Sequence, residues 1–94
     1  MTRETYAYRF VPEADMQDVK EALLLAAAAA EGLYGRSRVQ LEAAFLCDAE
    51  ARSAEVAGGT EVGQGIARVF TVLLANTVGE QAFRVERTVE DDRP

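Results

Sequence analysis

The sequence predicts an α+β two-layer sandwich, an antiparallel four-stranded sheet with two helices on one face. Three observations carry that reading. Stretches that alternate with period two, rich in aromatic and β-branched residues, are interleaved with two stretches of helical periodicity. Their order is strand, helix, strand, strand, helix, strand. The chain has 94 residues, enough for one core, and 49% of them are hydrophobic, an ordinary share for a globular domain.

Each element has its own signal. Thr5 to Val11 alternates, with Tyr6, Tyr8 and Phe10 on one face and Ala7, Arg9 and Val11 on the other. Pro12 ends it, because proline cannot donate to a ladder. Glu13 to Glu31 reads as a helix. Its acidic start (Glu13, Asp15, Asp18) suits the positive end of the helix dipole, and Asp15 is placed to cap. Met16, Val19, Leu23, Ala26, Ala27 and Ala30 share one stripe, and Gly32 is the expected stop. Arg36 to Asp48 alternates again through Val39, Leu41, Ala43, Phe45 and Cys47, which predicts the longest strand. A turn at Asp48-Ala49-Glu50 leads into a weaker strand over Ala51 to Ala57. Gly58-Gly59 breaks the chain and Thr60 caps a second helix over Glu61 to Val78. There Val62, Ile66, Val69, Phe70, Leu73, Leu74 and Thr77 keep i, i+3, i+4, i+7 spacing. Gly79 ends it. Glu80 to Val89 forms the last strand, with Phe83, Val85 and Val89 opposite Arg84, Glu86 and Thr88. One domain over 1–89 is expected, followed by a flexible acidic tail over 90–94.

The βαββαβ order with two right-handed crossovers resembles the ferredoxin-like superfold across nearly the whole chain. The resemblance is architectural. That fold hosts many unrelated activities, so it implies none here.

Composition narrows the function. The net charge of −6 disfavours nucleic acid and anionic membrane as partners. There is no histidine, which removes the commonest general base and metal ligand. Cys47 is the single cysteine, so no internal disulfide forms, and it reads as a small buried hydrophobe. The start Met1-Thr2-Arg3-Glu4 has no signal-peptide pattern. The longest apolar run is Ala22 to Ala30, against about 20 residues for a membrane span. A cytoplasmic protein is expected, with no cofactor and no metal.

Local candidates follow. Gly58, Gly59, Thr60, Gly63 and Gly65 precede and enter a helix, where free N–H groups can hold an anion. The spacing matches no nucleotide fingerprint, and Glu61 puts a negative charge in the first turn. A tight capped turn explains it as well, although Gly63 and Gly65 each cost roughly 1 kcal/mol inside a helix. Tyr6, Tyr8 and Phe10 have the pattern of RNA-stacking sheets, but the chain is acidic and they suit the core under the helices. Arg9, Arg38, Arg52 and Arg84 are then expected on the open sheet face with Glu42, Glu55 and Glu86.

Off-stripe apolar residues point to a partner surface. Leu25 and Val72 turn away from their helix stripes, and Leu46 leaves the inner face of its strand. The long strand, with Arg38, Gln40 and Glu42 in it, is expected at the sheet edge, where it could pair with its own copy. The reading that emerges is a non-catalytic interaction or regulatory domain that forms a homodimer, with an unidentified protein partner as a second expectation. Two alternatives stand beside it: a small-ligand or anion-binding domain using the Gly58–Gly65 turn, and an acidic decoy for a basic protein surface.

Overall fold

Alternation in the first segment builds β1 (Thr2–Phe10), the strand around which the rest is organised in a computed structural model that describes residues 2–91. It is followed by α1 (Met16–Tyr34), α2 (Arg36–Glu42), β2 (Phe45–Asp48), β3 (Ser53–Ala57), α3 (Glu61–Thr77), a 3-10 turn (Glu80–Ala82) and β4 (Phe83–Asp91). The sheet has four strands in the order β2-β3-β1-β4, and every pairing is antiparallel. The molecule is therefore α+β, with an open four-stranded sheet and three helices.

Register decides which residues share a face. Tyr8 pairs with Ala54 on one side and Val85 on the other, and Tyr6 with Val56 and Arg87. Tyr8, Phe10, Ala54 and Val56 are buried, so this is the face under the helices. The helices bring Val19, Ala22, Leu23, Ala26 and Ala30 from α1 and Val62, Ile66, Ala67, Phe70 and Leu74 from α3. Small residues at 22, 26, 30 and 67 let the two helix backbones approach. The Phe70 ring meets the Tyr8 ring edge-on at 4.7 Å. The Tyr8 hydroxyl is 2.9 Å from Thr71 Oγ1, which donates to the Ala67 carbonyl at 2.7 Å, so its polar tip is satisfied inside the core.

The long strand predicted over Arg36 to Asp48 does not form. Its first half is α2. Only two apolar residues, Val39 and Leu41, carried the alternation there, and the short helix turns Val39 inward at 7% exposure while leaving Leu41 at 86%. The helix is held by an Arg38–Glu42 ion pair one turn apart at 2.8 Å and by the Arg38 guanidinium over the Tyr34 ring at 5.3 Å. Arg38, Gln40 and Glu42 are thus helical residues, not members of a strand edge. What remains of the strand is Phe45–Asp48, with Phe45 and Cys47 half-buried and Leu46 outward.

Other boundaries shift for identifiable reasons. Asp15 caps α1 by accepting from the Gln17 N–H at 2.9 Å. The helix runs through Gly32 and stops at Gly35, whose φ of 90° ends it. Asp48 Oδ1 accepts from the Ala51 N–H and Arg52 takes a φ of 52°, so the β2–β3 turn runs to Arg52. Arg52 is not on the open face. Its guanidinium donates to the Val11 carbonyl, at 2.8 Å from the nearer nitrogen, and to that of Ala14, tying the turn to the β1–α1 loop. Glu90 and Asp91 extend β4 opposite Arg3 and Thr2, so they are not a free tail. The rest of the expected tail, 92–94, lies outside the described residues. No helix among the described residues is long and apolar enough to cross a membrane.

Candidate functional site

α3 leaves β4 beyond Phe83 partly uncovered on the helix side of the sheet. Val85 and Val89 point to that side, yet they are 38% and 53% exposed. Between α3 and the strands lies a groove of about 380 Å³. Tyr6, Tyr8 and Val85 form its sheet wall, Ala67, Thr71 and Val72 its helix wall, and Gln64 and Arg68 stand at the rim. Its floor is chemically quiet, because the Tyr8 hydroxyl is already bonded to Thr71 and burial pushes its pKa up. Beside the groove, Arg87 of β4 grips Glu4 of β1 with two N–H donors at 3.0 and 3.3 Å. The hydrogen bond from Arg87 lowers the Glu4 carboxyl below its ordinary value, and the interaction with Glu4 raises the Tyr6 hydroxyl.

A second depression of about 260 Å³ lies at the end of β1 and β4, lined by Arg9, Phe10, Val11, Gln81, Phe83 and Arg84. Arg9 and Arg84 stand directly opposite each other on the open face of the sheet. Neither has an ion-pair partner among the described residues. Glu55 and Glu86 flank Ala7 on the same face, so charge there is mixed in sign.

The glycine turn has a packing account. A Cβ on Gly58 would lie 2.4 Å from the Tyr6 ring, and one on Gly63 2.0 Å from the Ala57 carbonyl oxygen. One on Gly65 would meet the Tyr34 ring from 3.0 Å. Gly59 meets nothing within 4 Å. Thr60 caps α3 as expected, accepting from the Gly63 N–H at 3.0 Å while donating to the Glu42 carbonyl. Gln64 reaches back to the Gly58 carbonyl, and Glu61 stands in the first turn, 3.6 Å from Arg38. Close packing thus accounts for Gly58, Gly63 and Gly65 and capping for Thr60, while Gly59 has no such contact.

The expected surface residues are exposed but scattered. Leu25 projects from α1, Leu46 from the open face of β2, and Val72 from α3. Arg38, Gln40 and Glu42 sit on α2 and not in a strand. Only Val72 joins the groove. Cys47 is half-buried, and burial raises its thiol pKa. No group of three or more His, Cys, Asp and Glu that could hold a metal ion occurs among the described residues.

Comparison with known proteins found no matching family model, no matching curated protein and no matching solved structure.

The candidate site is accordingly read from the chain itself. It consists of the groove, the exposed valines of β4 and the free edge of that strand. The sequence places Val85 and Val89 on one face with Phe83, and the two valines themselves give no sign that this face reaches water there. It assigns Tyr6 to the core, and Gln64 and Arg68 no role. The signal that was present is Arg87, a charged residue in register with those valines, which marks an inner face that reaches water.

Proposed function

We propose that the chain is a ferredoxin-like βαββαβ domain with one short inserted helix, and that it acts as a non-catalytic, cytoplasmic interaction module that self-associates along its β4 flank. The strand order β2-β3-β1-β4 with antiparallel pairing throughout supports the fold reading, and α2 is the insertion. The absence of histidine from the sequence supports the non-catalytic reading.

The observation that carries the functional reading is β4 itself. It is an edge strand of nine residues without proline, and its helix-side valines are exposed. Monomeric proteins commonly shorten or block such an edge, as an exposed ladder recruits another strand. The opposite edge, β2, is shortened to four residues in that way, and β4 is not. Sedimentation velocity over a wide concentration range tests the reading. A reversible dimer is expected, and a strict monomer at the highest concentration overturns it. Val89→Lys puts an inward-facing lysine in the edge and is expected to abolish association.

The groove favours a second reading, an apolar small molecule carrying an anionic group. Its volume of about 380 Å³ falls within the range of small-molecule sites, and Arg68 stands at its rim. A thermal-shift screen of fatty and aromatic carboxylates is expected to show stabilisation that Val72→Glu removes. A flat screen eliminates it.

A further inference from the structure

Resting on the self-association reading, we infer that the partner on β4 is a second copy of this chain, paired antiparallel about a two-fold axis at Arg87, with Arg84 of each copy facing Glu90 of the other. Register selects the junction. In a two-fold antiparallel junction residue i meets residue j with i + j constant, so each trial axis fixes every cross-strand pair. An axis at Arg87 sets Arg84 against Glu90, Glu86 against Thr88 and Val85 against Val89, and uses the full length of β4. An axis at Glu86 sets that carboxylate against its own copy. An axis at Thr88 sets Glu86 against Glu90, again like against like. An axis at Val85 joins Arg84 to Glu86 but overlaps only the strand's first five residues. Charge complementarity and length therefore select the same junction.

The monomer leaves Arg84 without the opposite charge that this junction supplies. Arg84 faces Arg9 across the β1–β4 ladder, and like charges directly opposite are unfavourable. Neither arginine has an ion-pair partner among the described residues; Glu90 forms no ion pair there either, although it stands opposite Arg3 in the same ladder. Along one strand Arg84 and Glu90 are about 20 Å apart, so they cannot meet within one copy. Across the proposed axis they are neighbours on the open face. On the helix side Val85 covers Val89 of the other copy, closing over the two exposed valines. The self-facing residue is Arg87, whose charge is already held by Glu4 of its own chain. The two-fold runs through the sheet, so both helix layers lie on the same side and the two grooves open into one trough between the α3 helices.

The test uses the full chain and sedimentation equilibrium. Arg84→Glu sets two carboxylates against each other at both ends of the junction and is expected to weaken the dimer roughly tenfold or more. Glu90→Arg is expected to weaken it comparably, by setting arginine against arginine. Mixing the two variants restores opposite charges at both ends, so a heterodimer about as tight as the parent is expected, and the double variant Arg84→Glu/Glu90→Arg regains self-association. Within the chain Arg84→Glu faces Arg9 and Glu90→Arg faces Arg3, so circular dichroism is used to check that both variants keep the fold, and the heterodimer formed on mixing separates the junction from any effect inside one chain. If the parent dimerises but the mixture is no tighter than either variant alone, this register is overturned while self-association stands. A monomeric parent overturns both.

Discussion

Gly63→Ala and Gly32→Ala are the same chemical change inside two helices, and the structure gives them opposite signs. In an unconstrained helix interior, alanine is favoured over glycine by roughly 0.8–1 kcal/mol. Gly32 meets that condition, since a Cβ there has nothing within 4 Å. Gly32→Ala is expected to stabilise the fold by about that amount. At Gly63 the added Cβ would lie 2.0 Å from the Ala57 carbonyl oxygen, about 1.4 Å short of the 3.4 Å at which ordinary contact begins. The obstacle is backbone in β3, so relief requires α3 to move off the sheet. Overpacking of that kind costs about 1–3 kcal/mol and outweighs the helical gain. For a domain this size each kcal/mol moves the melting temperature by about 4–8 °C. Urea and thermal unfolding followed by circular dichroism measure both variants. A Gly63→Ala protein as stable as the parent, or more so, refutes the close-contact account of this glycine and returns the turn to consideration as an anion cradle.

Three further predictions concern interactions that hold the site in place. Tyr8→Phe removes the hydroxyl tied to Thr71 but leaves the ring against Phe70, and is expected to cost about 1 kcal/mol in urea unfolding; a loss above about 3 kcal/mol contradicts this account. Arg52→Ala removes the guanidinium bonds to Val11 and Ala14 but keeps the positive φ, whereas Arg52→Gly removes the bonds and relieves the φ; the glycine variant is expected to be the more stable by about 1 kcal/mol, and equal midpoints count against backbone strain at Arg52. Arg87 holds the Glu4 carboxyl below its ordinary value and Arg38 does the same for Glu42. A lowered folded-state pKa contributes stability at pH values above the ordinary glutamate range, which is lost as the pH falls through the folded value. Carboxyl NMR titration is expected to find these two titrating more acid than a free glutamate, and values at or above the free-glutamate range refute the pairings.

Local chemistry made much of the fold legible. The aromatics Tyr6, Tyr8 and Phe10 marked β1, Thr60 marked the start of α3, and the heptad-like spacing from Val62 to Leu74 marked its buried stripe. Leu25 and Val72 are legible as outward from helical angle and Leu46 from strand alternation, and all three are exposed. Arg36–Glu42 was misread because two apolar residues two apart fit a strand as well as a helix that leaves one of them in water. The Arg38–Glu42 spacing was the available sign of a helix. Gly32 and Gly35 both offered an end to α1. The choice depends on Tyr34, which must reach Gly65 on α3, a contact between distant parts of the chain. The groove was illegible for the same reason. It depends on where α3 lies across the sheet, and no local pattern encodes that.

The helix that replaced a strand also relocates the surface proposed for self-association. A strand through Arg38 would have made the β2 side the long edge. With α2 in its place, β2 is four residues and β4 is the one long edge of the sheet. At that edge Arg84 of β4 stands opposite Arg9 of β1. The chain has 16 acidic residues, yet none forms an ion pair with Arg9 or Arg84 among the described residues. Charges on an edge strand ordinarily discourage pairing. They discourage every register only if they are of one sign. In β4 two arginines, Arg84 and Arg87, alternate with Glu86 and an acidic end at Glu90 and Asp91, so the registers centred on Glu86 and Thr88 set carboxylate against carboxylate, while the one centred on Arg87 sets Arg84 against Glu90 at both ends and leaves only Arg87, already paired with Glu4, facing its own copy. A sequence that admits one long register and penalises those beside it is suited to a defined dimer and poorly suited to open-ended aggregation.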